Sequence, residues 1–301
     1  MTPIKIKENL LTYAQKNLHI PAIGIASWPL PNDAIQHITS SEDCPFTPGT
    51  LAERLQGGTQ LTNPQTAIVC LFPYYLPEPQ ETQPNLARYA WTKDYHLVVP
   101  HYLDRLGQHL QKFTPCHYEI HCDTSPLTDR YIAYLAGLGF FGKNHSLIHP
   151  TWGSYTNIGT LLVTTNLPAD KPLDLSCGNC QSCIKACPGQ ALCNPELNYA
   201  HCKSYITQKK GVLADDEIAI LRKTPLIWGC DVCQEICPYN KHVPTTPIPE
   251  FQDSLSQLTT NDLEGLTNRT FKEKYADRAF TWRGKSVLLR NLDIINKKVQ
   301  M

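Results

Sequence analysis

The chain has 301 residues, enough to bury one large hydrophobic core or two of ordinary size. Lys plus Arg equals Asp plus Glu at 27 each, so no overall field attracts nucleic acid or an anionic membrane, and any such partner must meet a local patch. No apolar run approaches the roughly 20 residues of a membrane-spanning helix, and the N-terminal stretch MTPIKIKENLLTYAQKN indicates an amphipathic helix rather than a signal peptide. We therefore expect a globular, cytoplasmic protein.

Strand and helix patterns alternate along residues 1–170. Apolar runs predict strands at AIGIAS (22–27), QTAIVCLFPYY (65–75), HYEIHCD (117–123) and IGTLLVTTNL (158–167), and helical periodicity predicts helices near 5–17, 94–112 and 127–138. This pattern favours a mixed α/β sheet domain over residues 1–170, in a chain of the α+β class.

Two further regions are expected after this domain. Proline and turn residues in TTNLPADKPLDLSCGN mark a boundary near residue 170, and a cysteine-rich second domain follows over 171–245. Residues 246–301 begin as a proline-rich linker and end in a basic, amphipathic helical tail.

The cysteines carry the clearest chemical signal. Nine of the 13 lie between Cys177 and Cys237, and clustered thiols in a cytoplasmic chain serve metal or redox chemistry more often than disulfide bonding. The run CGNCQSCIKACP (177–188) reproduces the C-x2-C-x2-C-x3-C-P pattern of bacterial ferredoxins, in which the fourth cysteine binds the other cluster. The run CDVCQEICP (230–238) keeps the last three cysteines of that pattern and its proline. The two runs predict a ferredoxin-like domain with two 4Fe-4S clusters.

One cluster ligand must come from outside the two runs. The runs supply four and three cysteines, one short of two four-thiolate clusters, so the last is Cys193 or Cys202. We select Cys202, because YAHCKSYITQ has helix-forming residues that can hold a thiolate towards the core, whereas Cys193 lies in a turn. The crossing rule then assigns Cys177, Cys180, Cys183 and Cys237 to cluster one, and Cys187, Cys202, Cys230 and Cys233 to cluster two. Four-cysteine zinc sites are the alternative, disfavoured by the two Cys-Pro endings and the interleaving.

Two polar segments of the first domain are candidates for chemistry. Asp123 ends a predicted strand, and it is either a turn-forming carboxylate or a proton donor or acceptor at a strand end. Ser125 and Pro126 are expected to begin the next helix. The segment RYAWTKDYH (88–96) is either a capped helix start or part of a pocket. GLGFFGKN (137–144) approaches a phosphate loop but follows a helix, which excludes nucleotide hydrolysis.

The segments together resemble one enzyme family, the epoxyqueuosine reductases of tRNA queuosine biosynthesis. The resemblance spans nearly the whole chain, and it rests on RYAWTKDYH, DTSPLTDRYIAYLAGLGFFGKN, WGSYTNIGTLL, the cysteine runs with Cys202, and WRGKSVLLRN near the C-terminus. It implies that the first domain binds cobalamin, that the clusters reduce the cobalt, and that epoxyqueuosine at the tRNA wobble position becomes queuosine.

The resemblance also implies roles for particular residues. Asp123 matches the family's catalytic acid, and we expect desolvation by an apolar corrin face to raise its pKa. The implied cofactor contacts are Arg88, Tyr89, Asp94, His96, Asp123, Lys143, Asn144, Gly153, Ser154 and Tyr155. An external electron donor, flavodoxin or similar, is expected to feed the clusters, and the protein is expected to be a monomer.

A tRNA partner requires a local basic patch. Residues 268–298 hold nine Lys or Arg against three acids, which is either a phosphate-binding surface or a solvated helical face. Two alternatives to the tRNA enzyme remain. One is a small-molecule reductase that uses cobalamin and iron-sulfur clusters and resembles the reductive dehalogenases, although the twin-arginine export signal typical of those enzymes is absent here. The other is a ferredoxin-type electron-transfer protein.

Overall fold

The computed structural model describes residues 1–34, 36, 45–193 and 196–297. Its main sheet has four strands, β1 (Ala22–Ser27), β2 (Thr66–Pro73), β3 (Tyr118–His121) and β6 (Thr156–Val163), in the order β1-β2-β6-β3. Neighbouring strands pair antiparallel throughout. A short hairpin of β4 (Phe140–Phe141) and β5 (Leu147–Ile148) stands apart from the main sheet.

Helices cover both faces of this sheet. The helices of the first region are α1 (Pro3–Asn17), α2 (Leu51–Gln56), α3 (Tyr95–Gln111) and α4 (Asp129–Leu135). Strand β2 is buried along its whole length, and its alternate residues enter two different cores. One core packs the sheet against α1 and α3, and the other packs it against α4. The period-two alternation of a strand produces this three-layer arrangement.

The four predicted strands and three predicted helices of residues 1–170 are confirmed within a few residues. One predicted boundary is wrong, because α4 begins at Asp129 and Ser125 and Pro126 lie in the loop before it. We call residues 123–128 the Asp123 loop. Helix α2 and the β4–β5 hairpin have no counterpart among the predicted elements.

The cysteine-rich region consists of short helices separated by turns. These are α5 (Ser182–Ala186), α6 (Lys203–Gln208), α7 (Asp215–Leu221) and α8 (Val232–Glu235), with 3-10 turns at Tyr199–His201 and Pro238–Asn240. The C-terminal elements are α9 (Thr260–Leu263), α10 (Asn268–Lys274) and α11 (Lys285–Asn296), with 3-10 turns at Pro249–Phe251 and Ala279–Arg283.

The proline-rich stretch after residue 245 differs from the expected linker. Ile248 and Phe251 are fully buried in the core of the first domain. The Thr246 backbone N–H donates to the Tyr75 carbonyl at 2.9 Å, and Tyr102 donates to the Glu250 carboxylate at 2.6 Å. The stretch therefore packs the C-terminal region onto the sheet domain. Across the described residues, no helix is both long enough and apolar enough to cross a membrane.

Candidate active site and cluster sites

Three side chains meet at the junction of α3 and the Asp123 loop. The Tyr95 hydroxyl donates to Asp123 Oδ2 at 2.6 Å, and His96 Nε2 lies 3.3 Å from the same oxygen. The Tyr95 and His96 rings stack with their centroids 4.1 Å apart. The Asp123 side chain is 62% exposed, and its backbone has a φ of 60°, a left-handed conformation that Asp tolerates better than most residues. The arrangement presents one carboxylate to solvent between two hydrogen-bonding partners.

Asp94 orients His96 from the other side. As the residue that caps α3, Asp94 accepts the His96 backbone N–H at 3.0 Å, and its Oδ1 also lies 2.8 Å from His96 Nδ1. Desolvation lowers the pKa of His96, but the hydrogen bonds to Asp123 and Asp94 outweigh it and raise this pKa to about 9. His96 is therefore a cation at neutral pH, held between two carboxylates.

In the protein alone the pKa of Asp123 is lowered, whereas the expected rise refers to a pocket closed by a corrin. Desolvation acts to raise this pKa, yet the hydrogen bonds from His96 and Tyr95 outweigh desolvation, and the pKa lies below its ordinary value. Asp123 and His96 thus share one proton that resides on the imidazole at neutral pH. A proton leaving this pair comes from an imidazolium and carboxylate unit rather than from an isolated carboxylic acid.

A second carboxyl group lies behind the Asp123 loop. Asp129, the first residue of α4, accepts a hydrogen bond from the Asp123 backbone N–H. Burial and the nearby Asp123 charge raise the pKa of Asp129 to about 7, and its buried Oδ1 has no hydrogen-bond partner in the described part of the chain. This carboxyl group titrates near neutrality and contacts the backbone that positions Asp123.

The four cysteines assigned to cluster one surround a single cavity. Cys177, Cys180, Cys183 and Cys237 line it, together with Lys143, Asn144, Ile148, Ser182, Pro238 and Tyr239. Three of these cysteines belong to the first run and Cys237 belongs to the second, so the cavity joins the two runs. The Lys143 ammonium donates to the carbonyls of Gly178 at 2.7 Å and Cys180 at 2.9 Å, which fixes the loop that carries Cys177 and Cys180.

The cysteines assigned to cluster two also gather at one place. Cys187, Cys202 and Cys230 are close enough to Cys233 for their charges to raise its pKa, after burial as the larger cause. Cys193 is exposed and lies outside this group. Asn144 links the two sites, because its side-chain amide donates to the Cys233 carbonyl at 3.5 Å while it also lines the first cavity.

Several predicted cofactor contacts lie at the boundary between the sheet domain and the cysteine-rich region. Arg88 is buried, donates to the Leu76 carbonyl and pairs with Glu78 at 2.6 Å. Ser154 is buried, and its hydroxyl donates to Gln234 at 2.9 Å. Tyr155 is buried as well. Arg88 Nε has no hydrogen-bond partner among the described residues, whereas the other polar groups named have partners within the protein. A contact with a cofactor stays a prediction for each of the three residues.

Gly153 and Tyr89 occupy the same boundary. Gly153 has a φ of 58°, and a β-carbon there would overlap the Asn240 side chain, so only glycine allows this approach. Tyr89 is half-buried, and burial with the nearby Asp231 charge raises its pKa. Asp231 itself accepts the Arg88 backbone N–H at 2.5 Å, and burial raises its pKa to about 6.

The basic C-terminal segment is largely used for internal contacts. Arg278 donates to the Trp91 carbonyl at 2.7 Å and pairs with Asp253 at 2.5 Å, and Arg290 donates to the carbonyls of Lys209 and Gly211 at 2.7 Å each. Further internal partners engage Arg269, Lys274, Lys285 and Lys297, and Lys298 lies outside the described residues. The charge excess over residues 268–298 therefore overstates the phosphate-binding surface.

The sequence interpretation missed two residues of the site. Tyr95 stood within RYAWTKDYH but was not among the expected cofactor contacts, and Asp129 stood six residues after Asp123 without any signal. A tyrosine beside a histidine at a capped helix start was the only available hint for Tyr95. Asp129 could not be recognised, because only the folded loop brings its carboxyl group to the Asp123 backbone.

These features define a class of protein: an iron-sulfur oxidoreductase in which a ferredoxin-like cluster domain is fused to a sheet domain with an exposed proton-holding pair. A family described as "4Fe-4S double cluster binding domain" matches residues 176–240, and one described as "Epoxyqueuosine reductase QueG, DUF1730" matches residues 54–124. An epoxyqueuosine reductase of Lactococcus garvieae is 34% identical over 82% of this chain and 73% of its own length. One of Bacillus subtilis is 31% identical over 97% and 78%. This chain belongs to the epoxyqueuosine reductase family and carries iron-sulfur clusters.

Solved structures give the same assignment. The epoxyqueuosine reductase of Streptococcus thermophilus superposes with a TM-score of 0.84 at 29% identity, covering 98% of this chain and 82% of the other. An epoxyqueuosine reductase in complex with an epoxyqueuosine-modified tRNA-Tyr stem loop superposes with a TM-score of 0.89 at 28% identity, covering 98% and 81%. The similarity therefore includes both the sheet domain and the cysteine-rich region.

Proposed function

We propose that this chain reduces epoxyqueuosine at the wobble position of tRNA to queuosine. Removal of an epoxide oxygen consumes two electrons and two protons, and the oxygen leaves as water. The observation that carries the proposal is the fusion, in one chain, of two four-cysteine sites with an exposed pair that holds a proton between Asp123 and His96. Membership in the family and the stem-loop complex of a relative support tRNA as the substrate.

The electrons enter through the cysteine-rich region. Cluster one is held by Cys177, Cys180, Cys183 and Cys237, and cluster two by Cys187, Cys202, Cys230 and Cys233. Lys143 and Asn144 tie the loop after β4 to the backbone of both sites, at the Cys180 and Cys233 carbonyls. An external donor of the flavodoxin type supplies the clusters. The assigned ligands all lie on one chain, so a monomer in the cytoplasm suffices.

The surface beside the proton-holding pair fits a flat, largely apolar cofactor such as cobalamin. Leu97 follows His96 at the start of α3 and is 54% exposed, so an aliphatic side chain lies beside the ionic groups. When bound, cobalamin supplies the electron pair that opens the epoxide. Tyr95, His96 and Leu97 would border it, and covering them would remove water from the Asp123 carboxylate.

Asp123 passes to the epoxide oxygen the proton that it shares with His96. Its left-handed loop position and its exposure place the carboxylate where a substrate can reach it, while His96 and Tyr95 hold Oδ2 in one orientation. Covering the site disfavours the charged forms of both His96 and Asp123, and this moves the shared proton towards the Asp123 carboxylate. Protonation turns the epoxide oxygen into a better leaving group. In a solved reductase of Bacillus subtilis, the catalytic aspartate loop is swung out of the active site, which supports a mobile acid.

Single-turnover reduction of epoxyqueuosine-containing tRNA tests the proposal. The protein is reconstituted anaerobically with iron, sulfide and cobalamin, reduced chemically, and assayed by nucleoside mass spectrometry. We expect wild type to form queuosine and Asp123→Asn to lose at least 100-fold in rate, the range of general acid catalysis. Asp104→Asn, a carboxylate of α3 that bonds Tyr118 outside the site, is the matched control. An active Asp123→Asn variant would refute the role of the acid, and an inactive wild type with full cofactor content would point to a small-molecule substrate.

A further inference from the structure

An exposed aromatic group lies on the surface near the Asp123 loop. It consists of Phe46, Trp282 and Arg283, which we call the Trp282 platform. Trp282 is 50% exposed, whereas three of the five tryptophans of the chain are buried. The Arg283 guanidinium carbon lies 3.5 Å from the Trp282 ring centroid and 4.4 Å from the Phe46 centroid, and the two rings meet edge to face at 5.5 Å. A cation is thus held against two aromatic faces at the surface.

Arg283 differs from the other arginines of its segment. Arg278 and Arg290 direct their guanidinium groups at backbone carbonyls within the protein. In contrast, Arg283 Nε is buried and has no hydrogen-bond partner within the part of the chain that the structure describes. Arg88 Nε shares this property, so the feature that distinguishes Arg283 is the exposed Trp282 ring against which its guanidinium lies. A guanidinium donor beside an exposed indole ring suits a ligand with both a π-face and acceptor atoms.

Two chain segments connect the Trp282 platform with the active site. Its 3-10 turn follows Asp277, whose carbonyl accepts the Asp94 backbone N–H at 2.7 Å, directly beside the His96 site. On the other side, Gly49 lies three residues after Phe46 and packs so tightly that a β-carbon there would come within 2.7 Å of Pro126 in the Asp123 loop. The platform is therefore connected both to the start of α3 and to the loop that carries the acid.

We infer that the Trp282 platform stacks an unpaired base of the tRNA anticodon loop, next to the base that enters the active site. The inference rests on the proposed function and names where its substrate is held. Stacking of a base on an aromatic side chain contributes about 1–3 kcal/mol and tolerates any base, because every base has a π-face. Loop bases expose these faces, whereas the bases of a paired stem do not. Arg283 adds a hydrogen bond to a base or phosphate acceptor and a cation–π contact.

The test compares RNA binding and catalysis in the cluster- and cobalamin-loaded protein. A labelled anticodon stem-loop with unmodified guanine at the wobble position is titrated against wild type, Trp282→Ala, Trp282→Phe and Ile4→Ala, which removes an exposed aliphatic side chain of α1. We expect Trp282→Ala to weaken binding about thirtyfold, which corresponds to the middle of the stacking range, with an unchanged dependence on salt. Trp282→Phe retains most of the affinity, Ile4→Ala retains all of it, and quenching of tryptophan emission by RNA is lost in Trp282→Phe.

The outcomes separate this inference from the proposed function. If Trp282→Ala binds RNA as well as wild type does, the inferred role of the Trp282 platform is refuted. If wild type still reduces modified tRNA in that case, the proposed function remains intact. Loss of electron transfer from a flavodoxin in Trp282→Ala, with normal RNA affinity, would assign the platform to the electron donor and refute the inference. If wild type neither binds the stem-loop nor reduces modified tRNA, both the inference and the proposed function are refuted. The tryptophan emission of wild type would then not change when RNA is added.

Discussion

Asp94→Asn tests the electrostatic account of the active site. Asparagine caps a helix as well as aspartate does, so the substitution keeps the start of α3 while it removes one of the two carboxylates that hold the His96 cation. The rise of the His96 pKa from 6.5 to about 9 corresponds to about 3 kcal/mol, which solvent screening of a side chain 32% exposed reduces to about 2 kcal/mol. The Asp94 contact is the shorter one, at 2.8 Å against 3.3 Å for Asp123. We assign it about half of that energy, so the His96 pKa should fall by about one unit.

The sign of the effect on stability follows from the same shift. A histidine with a raised pKa in the folded state stabilises the protein fully below about pH 6.5 and loses that contribution as the pH rises through about 9. NMR titration of the imidazole resonances measures the pKa directly in wild type and Asp94→Asn. His149, whose pKa burial lowers to about 4 without an acidic partner, serves as the internal control and should not change. A wild-type His96 that titrates at or below 6.5, or one that Asp94→Asn leaves unchanged, would refute the reasoning.

Three further predictions concern the clusters and the buried charges. Cys202→Ser should halve the iron content after reconstitution, whereas Cys193→Ser should leave the iron content unchanged. Iron analysis and EPR measure this, and equal iron in both variants would show that Cys202 is not the eighth cluster ligand. Asp129→Asn should be more stable than wild type above pH 7, by at most about 4 kcal/mol. The reason is that native wild type keeps a proton on Asp129 between about pH 4 and 7, where the unfolded chain has released it, so ionised Asp129 destabilises the native state at higher pH. Thermal midpoints at pH 6 and 8.5 measure the difference, and a gain in stability confined to low pH would contradict the prediction. Lys203→Met should destabilise by about 2–4 kcal/mol, because the buried ammonium donates to the Leu221 carbonyl and to two oxygens of Thr224. Lys297→Met, which removes the exposed ion pair with Asp293, should cost less than about 1 kcal/mol.

The strands and helices of the sheet domain could be predicted from the sequence because their apolar periods are long and regular. The grouping of the cysteines could also be predicted, since the ferredoxin spacing is set by the geometry of the cluster itself. The placement of Cys237 with the first run follows from that spacing, whereas Cys202 was preferred to Cys193 for its helix-forming neighbours. In the structure Cys237 lines the cavity of the first run, and Cys202 lies near Cys233.

The chemistry of the acid was less predictable. His96 and Asp123 are separated by 27 positions, and nothing in either segment indicates that they share an oxygen atom. The expected rise of the Asp123 pKa considered desolvation alone and omitted the two donors that reverse it. Arg88 and Ser154 lie in segments that carry the family resemblance, but that pattern does not reveal whether a side chain faces a ligand or the neighbouring domain. The same limit applied to residues 246–251, where prolines indicated a linker although Ile248 and Phe251 enter the core.

Conversion of epoxyqueuosine in tRNA tests the central claim most directly. Wild-type protein, reconstituted with both clusters and cobalamin and reduced chemically, is mixed with epoxyqueuosine-containing tRNA, and the nucleosides are quantified by mass spectrometry over a single turnover. We predict one queuosine for each active protein and no product when cobalamin is omitted. Unchanged epoxyqueuosine with fully loaded protein would contradict the account.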